Sequence, residues 1–110
     1  MSAETQVTLD IEGYLVDPED WDERIATDLA ANEDLELTEE YWSILNFMRA
    51  FWVDQKVAPD VRHVLAFMVE EHGYDKKIAK TRLFKLFPYG YVKQACKIAG
   101  MRRPRGWSTG

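Results

Sequence analysis

The chain has 110 residues and a formal net charge of -5, a length that suits one small domain and leaves no room for two. Hydrophobic residues make up 46% and include four Trp, five Tyr and five Phe, which excludes a disordered chain and implies a packed interior. The apolar stretches fall far short of the roughly 20 residues of a membrane span, and residues 1–7 carry Glu4 rather than the basic run of a secretory leader.

The only cysteine is Cys96, so no internal disulfide is possible. These features fit a soluble, cytoplasmic protein. The charge is unevenly spread. Residues 1–75 hold all 19 acidic side chains and four basic ones (Arg24, Arg49, Lys56 and Arg62), whereas residues 76–110 hold ten basic side chains and no acid. Such a split suggests either a partner that meets the basic part, such as a phosphate backbone or an acidic protein patch, or a basic end lying against the protein's own acidic body.

Taken in chain order, Val7, Leu9 and Ile11 alternate with polar residues, Glu12-Gly13 marks a turn, and Tyr14 to Val16 reads as a short return strand. Asp17-Pro18 opens the first helix as N-cap and first helical position, followed by Trp21, Ile25, Ala26 and Leu29 at helical spacing. Thr38 caps the second helix, from about Glu39 to Gln55. Its wide apolar stripe (Tyr41, Ile44, Leu45, Met48, Phe51, Trp52) marks it as the core helix.

Pro59-Asp60 starts a third helix, with Val61, Val64, Leu65 and Met68 inward and Gly73 closing it. Asp75 caps a fourth, running to about Leu86 with Ile78, Ala79, Leu83 and Leu86 inward; Pro88 and Gly90 break it. A fifth runs from about Tyr91 to Ala99 and ends at Gly100. The reading is a mainly α, α+β fold: a compact bundle of about five helices with a small N-terminal β-hairpin. The third and fourth helices are expected to form a helix-turn-helix-like element. Residues 1–100 form the domain, and residues 101–110 a flexible C-terminal arm.

Cys96 is the candidate nucleophile. It shares a helical face with Val92 and Ala99, so at least partial burial is expected, and most free cysteines are small core residues. Lys93 and Lys97 flank it, and nearby positive charge favours the reactive thiolate. His63 and His72 do not have metal-ligand spacing, no glycine-rich phosphate loop is present, and no metal or cofactor is expected.

The segment Leu83 to Gly100, LFKLFPYGYVKQACKIAG, resembles the C-terminal signature of DsrC/TusE proteins. Asp10 to Leu15 (DIEGYL), Trp21, Glu36 to Trp42 (ELTEEYW), Phe47-Met48-Arg49 and Ala58 to Arg62 (APDVR) resemble further landmarks of that family, in order. The resemblance runs from about Val7 to Pro104. It implies a helical domain with a small hairpin, and a sulfur-relay role in which a cysteine near the end of a flexible arm carries sulfur as a persulfide. The implied partners are a sulfurtransferase complex (DsrEFH/TusBCD-like) or dissimilatory sulfite reductase, serving sulfur metabolism or tRNA thiolation.

Cys96 matches the second cysteine of the DsrC type. Counted without gaps from Cys96, the arm cysteine falls on Trp107, in a tail that reads MRRPRGWSTG. Tyr91 replaces the proline usual before the last helix, and the hairpin is shortened. Two functions follow. The first is a relay protein that carries sulfur only on Cys96, or not at all, and docks on its partners through Arg62, Lys93, Lys97, Arg102, Arg103, Arg105 and Trp107. The second is a regulator that binds nucleic acid through Lys76, Lys77, Lys80, Arg82 and the arginine-rich tail. A structural subunit without chemistry is the third.

Overall fold

The computed structural model describes residues 8–101, apart from the side chain of Val92. Five helical pieces are built on a helix that occupies their centre. Helix α2, Glu39–Gln55, buries Tyr41, Ile44, Leu45 and Met48, each deletion of which would leave a core void. Its aromatic flank extends the contact outward: Phe47 stacks on Phe67 at 4.5 Å, and Phe51 lies 4.8 Å from the His63 ring. Tyr41 crosses to the chain's other end. Its hydroxyl donates to the Leu86 carbonyl at 2.6 Å, and its ring meets Phe87 edge-on at 5.2 Å.

Helix α1 is Glu23–Asn32, a later start than the Asp17-Pro18 signal predicts. Asp17 instead caps one 3₁₀ turn, Pro18–Asp20. The backbone then extends at Trp21, and Asp22 supplies the α1 cap by accepting from the Ile25 N–H at 2.9 Å. A second capping carboxylate five residues after the first splits the expected helix into two pieces. The break frees Trp21 to dock elsewhere: its indole N–H donates to the Ile98 carbonyl at 2.9 Å.

Helix α3, Val61–His72, is capped by Asp60, and Gly73 ends it at φ +70° in the left-handed region that glycine adopts without penalty. Helix α4, Lys76–Leu86, follows after residues 73–75, with Asp75 as its cap. It buries Ala79, Leu83 and Leu86, but Ile78 points outward at 52% exposure, against expectation. Ile78 lies one position before Ala79, about 100° round the helix, so burying one turns the other toward solvent. Among the described residues the predicted hairpin shows one antiparallel bridge, Leu9 with Leu15, closed by the Gly13 turn; Val7 of the predicted first strand lies outside them.

The last helical piece, Tyr91–Cys96, is wound as a π-helix and continues through Lys97 and Ile98 before Gly100 ends it. The predicted boundaries hold, but the winding differs. Of the expected C-terminal arm, residues 101–110, Met101 is instead buried in the core, its N–H donating to the Cys96 carbonyl at 2.9 Å, and the rest, with Arg102, Arg103, Arg105 and Trp107, lies outside the described residues.

Candidate functional site

The site is organised around Cys96, whose side chain is wholly buried. Burial pushes its thiol up to about 12, and a hydrogen-bonding contact with Tyr91 only partly offsets this. That is the opposite direction from the one suggested by the flanking lysines. At neutral pH the group is a thiol, not a nucleophilic thiolate.

The π-helical winding explains the Tyr91 contact. Residues five apart lie about 140° round an α-helix, at 100° per residue. In a π-helix the hydrogen-bonded ring spans i to i+5, which stacks Tyr91 against Cys96. Tyr91 is itself buried, and its hydroxyl donates to the Pro59 carbonyl ahead of α3. Burial pushes the Tyr91 phenol far above its usual range, with the neighbouring Cys96 adding to the effect. The tyrosine therefore stays neutral and joins the last helix to the start of α3.

Gln94, in the same segment, is the only buried polar side chain among the described residues. Its carbonyl accepts from the Tyr89 N–H at 2.9 Å, and its amide donates to Glu33 at 3.1 Å. Lys97 reaches the same carboxylate at 3.5 Å and lies over the Tyr14 ring at 5.1 Å. Arg49 of α2 donates to the Ala99 carbonyl at 3.0 Å and the Pro18 carbonyl at 2.9 Å. Together these contacts fix residues 94–101 on the body.

The remaining expected site residues are scattered. Lys93 is exposed on the last helix. Arg62 is exposed at the start of α3 and pairs with its own cap, Asp60, at 3.1 Å. The basic end is partly neutralised by the acidic body, as one of the two charge readings expects: Arg82 forms a bidentate pair with Glu40, and Lys97 pairs with Glu33. Lys76, Lys77 and Lys80 are exposed and have no ion-pair partner among the described residues. Sequence reasoning noted Tyr91 only as a departure from the family pattern and passed over Gln94 and Glu33. The signal for Tyr91 and Gln94 was their place in a motif already singled out; nothing local marked Glu33.

An apolar groove lies between α3 and α4, with a volume of about 440 Å³. Leu65, Leu83 and Phe84 line it, Tyr91 forms part of its wall, and Arg62, Lys76 and Lys80 stand at its edge. Among the described residues, no helix is long and apolar enough to cross a membrane, and no cluster of three or more His, Cys, Asp or Glu side chains could hold a metal ion.

Comparison with known proteins is consistent along the chain. A family model described as DsrC like protein matches residues 1–107. The sulfurtransferase TusE of Sodalis glossinidius is 38% identical over 100 residues, spanning 91% of this chain and 92% of that protein. The TusE of Salmonella typhimurium is 37% identical over 99 residues, or 90% of each. Among solved structures, the oxidized gamma-subunit of the dissimilatory sulfite reductase (DsrC) from Archaeoglobus fulgidus superposes with a TM-score of 0.79 at 35% identity, covering 93% of this chain and 92% of that one. The NMR structure of Allochromatium vinosum DsrC gives 0.80 at 39% identity, covering 94% and 91%.

Proposed function

The chain belongs to the DsrC-like protein family, and on that premise we propose that it is a sulfur-relay protein that acts by docking, with Cys96 as a core thiol rather than a carrier. The partner class is a sulfurtransferase complex of the DsrEFH/TusBCD type or a dissimilatory sulfite reductase. The comparisons give no support to the nucleic-acid reading.

The burial of Cys96 carries this reading. To accept sulfur, a thiolate must attack the outer sulfur of a donor persulfide. A new S–S bond forms on the acceptor, the donor's S–S bond breaks, and the donor leaves as its own thiolate. That displacement needs an ionised sulfur and an open line of approach. Cys96 has neither, since it is enclosed and its proton is held up to about pH 12. Trp107 stands at the ungapped register of the family's arm cysteine. We assign it, with Arg102, Arg103 and Arg105, a docking role, because an indole fills a partner pocket well. The domain proper is residues 1–100.

Intact-mass measurement after incubation with a persulfide donor tests the carrier half. Wild type is expected to gain no sulfur, whereas Trp107→Cys gains one atom. A gain on native wild type that disappears in Cys96→Ser would make Cys96 a carrier and overturn that half. Co-purification with a purified sulfurtransferase complex or sulfite reductase tests the docking half.

A further inference from the structure

We infer that the α3–α4 groove is a docking site for an acidic, apolar segment of a partner protein. The inference rests on the docking role argued above and supplies the surface and the partner chemistry that the role requires.

Shape is the first observation. The groove does not end at its main depression. A second one adjoins it, shares Arg62, Leu65 and Lys76 with the first, and runs on past Ala66 and Val69 to Glu70. From Val61 to Glu70 the track follows ten residues of α3, about 14 Å over nine steps of about 1.5 Å. A floor of that length suits successive side chains of a peptide segment, as in helix-in-groove recognition. Phe84 of α4, a large apolar side chain that lines the groove, remains 40% exposed.

Charge is the second observation. Of the residues lining the two depressions, Arg62, Lys76 and Lys80 are cationic, and Glu70 alone is acidic. Helix α4 contains Lys76, Lys77, Lys80, Arg82 and Lys85 and no acid; of these, only Arg82 is neutralised by a described carboxylate. The placement of Lys76 and Lys77 is also unfavourable for the helix itself. They occupy the first turn of α4, where the macrodipole is positive and acidic side chains are stabilising. Helices α1 and α2 follow the stabilising pattern, with Glu23 and with Glu39 and Glu40 in their first turns. Lys76 therefore does not serve the helix dipole, and Lys80 has no ion-pair partner among the described residues. Their position beside an apolar floor matches a ligand that presents carboxylates next to apolar side chains, and such matching of charge across an interface selects partners and speeds encounter.

The test uses the full chain, ¹⁵N-labelled, and two synthetic peptides of the same length: one with a Leu/Phe face flanked by Glu, and its counterpart with Lys in place of Glu. The acidic peptide is expected to shift the amides of Leu65, Lys76, Lys80 and Phe84. The basic peptide is expected to leave them in place. In Lys76→Glu/Lys80→Glu the shifts should fall at least tenfold in apparent affinity. That variant should fold, because Glu in the first turn of α4 favours the helix. Absence of shifts at millimolar acidic peptide, or shifts indifferent to the charge reversal, would overturn the inference. So would equal shifts from inorganic phosphate, or tighter ones from a short DNA duplex, which would make the groove an anion or nucleic-acid site. A purified sulfurtransferase complex provides a second arm. If it binds the double variant as tightly as wild type, the docking role stands and the groove is the wrong surface. If it binds neither protein while the acidic peptide still occupies the groove, the surface stands and the relay partner is wrong.

Discussion

Trp21 lies so close over Gly100 that a Cβ added to the glycine would come within 2.4 Å of the indole Cδ1 and 2.8 Å of Cβ. Gly100 also sits at φ +77°, a conformation that costs other L-residues about 1–2 kcal/mol. Two independent demands therefore meet at one residue: the helix must end in the left-handed region, and the indole must reach the Ile98 carbonyl across the same spot. Gly100→Ala is expected to destabilise the protein by about 2–5 kcal/mol, since crowding in a packed region adds about 1–3 kcal/mol to the backbone cost. The two parts separate in a double-mutant cycle by urea unfolding. In a Trp21→Ala background, which removes the Cδ1 contact but keeps Cβ at 2.8 Å, the glycine substitution should cost less than in wild type. An equal cost in both backgrounds would show that the indole is not what excludes the methyl group.

Arg49 joins three distant parts of the chain. Its guanidinium donates to the Ala99 and Pro18 carbonyls and lies 4.6 Å from the centre of the Trp21 ring and 5.1 Å from that of Trp52. Arg49→Met removes both donors and should cost about 2–4 kcal/mol, in line with hydrogen bonds to charged groups. Arg49→Lys should recover only part of this, because an ammonium lacks the planar fork that spans two carbonyls and lies flat over a ring. The diagnostic readout is amide hydrogen exchange. Gly100 and Met101 should lose protection in both variants more than the α2 centre does. Uniform loss across the domain would mean that Arg49 supports global stability without fixing residues 94–101 on the body.

Much of this arrangement was legible in the sequence, and the exceptions have physical causes. Helix α2 was readable to its bounds because one long stripe from Tyr41 to Trp52 outweighs any competing pattern. The start of α3 at Pro59-Asp60 and the cap at Asp75 were equally plain, the cap being a side chain that serves a backbone N–H three residues on. The first helix was misplaced because Asp17 and Asp22 are both good caps. The choice between them falls to Trp21, whose partner lies 77 residues away.

At the site, Cys96 was singled out correctly as the chain's lone thiol, but its environment was misjudged. The flanking lysines are visible in sequence, whereas burial is a property of the assembled core. The π-helical winding that stacks Tyr91 on Cys96 leaves no trace in a pattern read at 3.6 residues per turn. Lys97 was read as a binding residue, and its approach to Glu33 was likewise invisible, since 64 residues separate them.

Glu40 should make stability depend on acid. Its carboxylate accepts from Arg82 at 2.6–3.0 Å and from the Tyr74 hydroxyl at 2.9 Å. The Arg82 hydrogen bond is the main reason its pKa lies below the usual value of 4.5. A carboxyl with a depressed folded pKa contributes its full stabilisation above the unfolded value and loses it as pH falls through the folded one. Wild type should therefore exceed Glu40→Gln in stability at neutral pH, and the gap should close as pH drops below about 4.5. Urea unfolding of both proteins at about pH 7 and about pH 3 checks this. A gap of constant size would mean that the ionised carboxylate is not the stabilising form.

Cys96 gives the opposite dependence. Its folded pKa is raised from 9.0 to about 12, with burial as the leading cause. A raised folded pKa means the native state keeps a proton that the unfolded chain releases. The associated stability is complete below about pH 9 and is lost as pH rises toward about 12. The stability difference between wild type and Cys96→Ala should thus narrow between about pH 8 and about pH 11. Kinetics supply a second readout. A thiol with no exposure reacts with an aromatic disulfide reagent only during opening of its surroundings. An opening free energy of about 2.8 kcal/mol slows labelling about a hundredfold relative to the denatured chain. Tyr91→Phe removes the hydroxyl that holds the Pro59 carbonyl. It should speed labelling several-fold, while the α2 core stays folded by near-ultraviolet circular dichroism. Native labelling as fast as that of the denatured chain would show that the thiol is open to solvent, and would return Cys96 to consideration as a sulfur carrier.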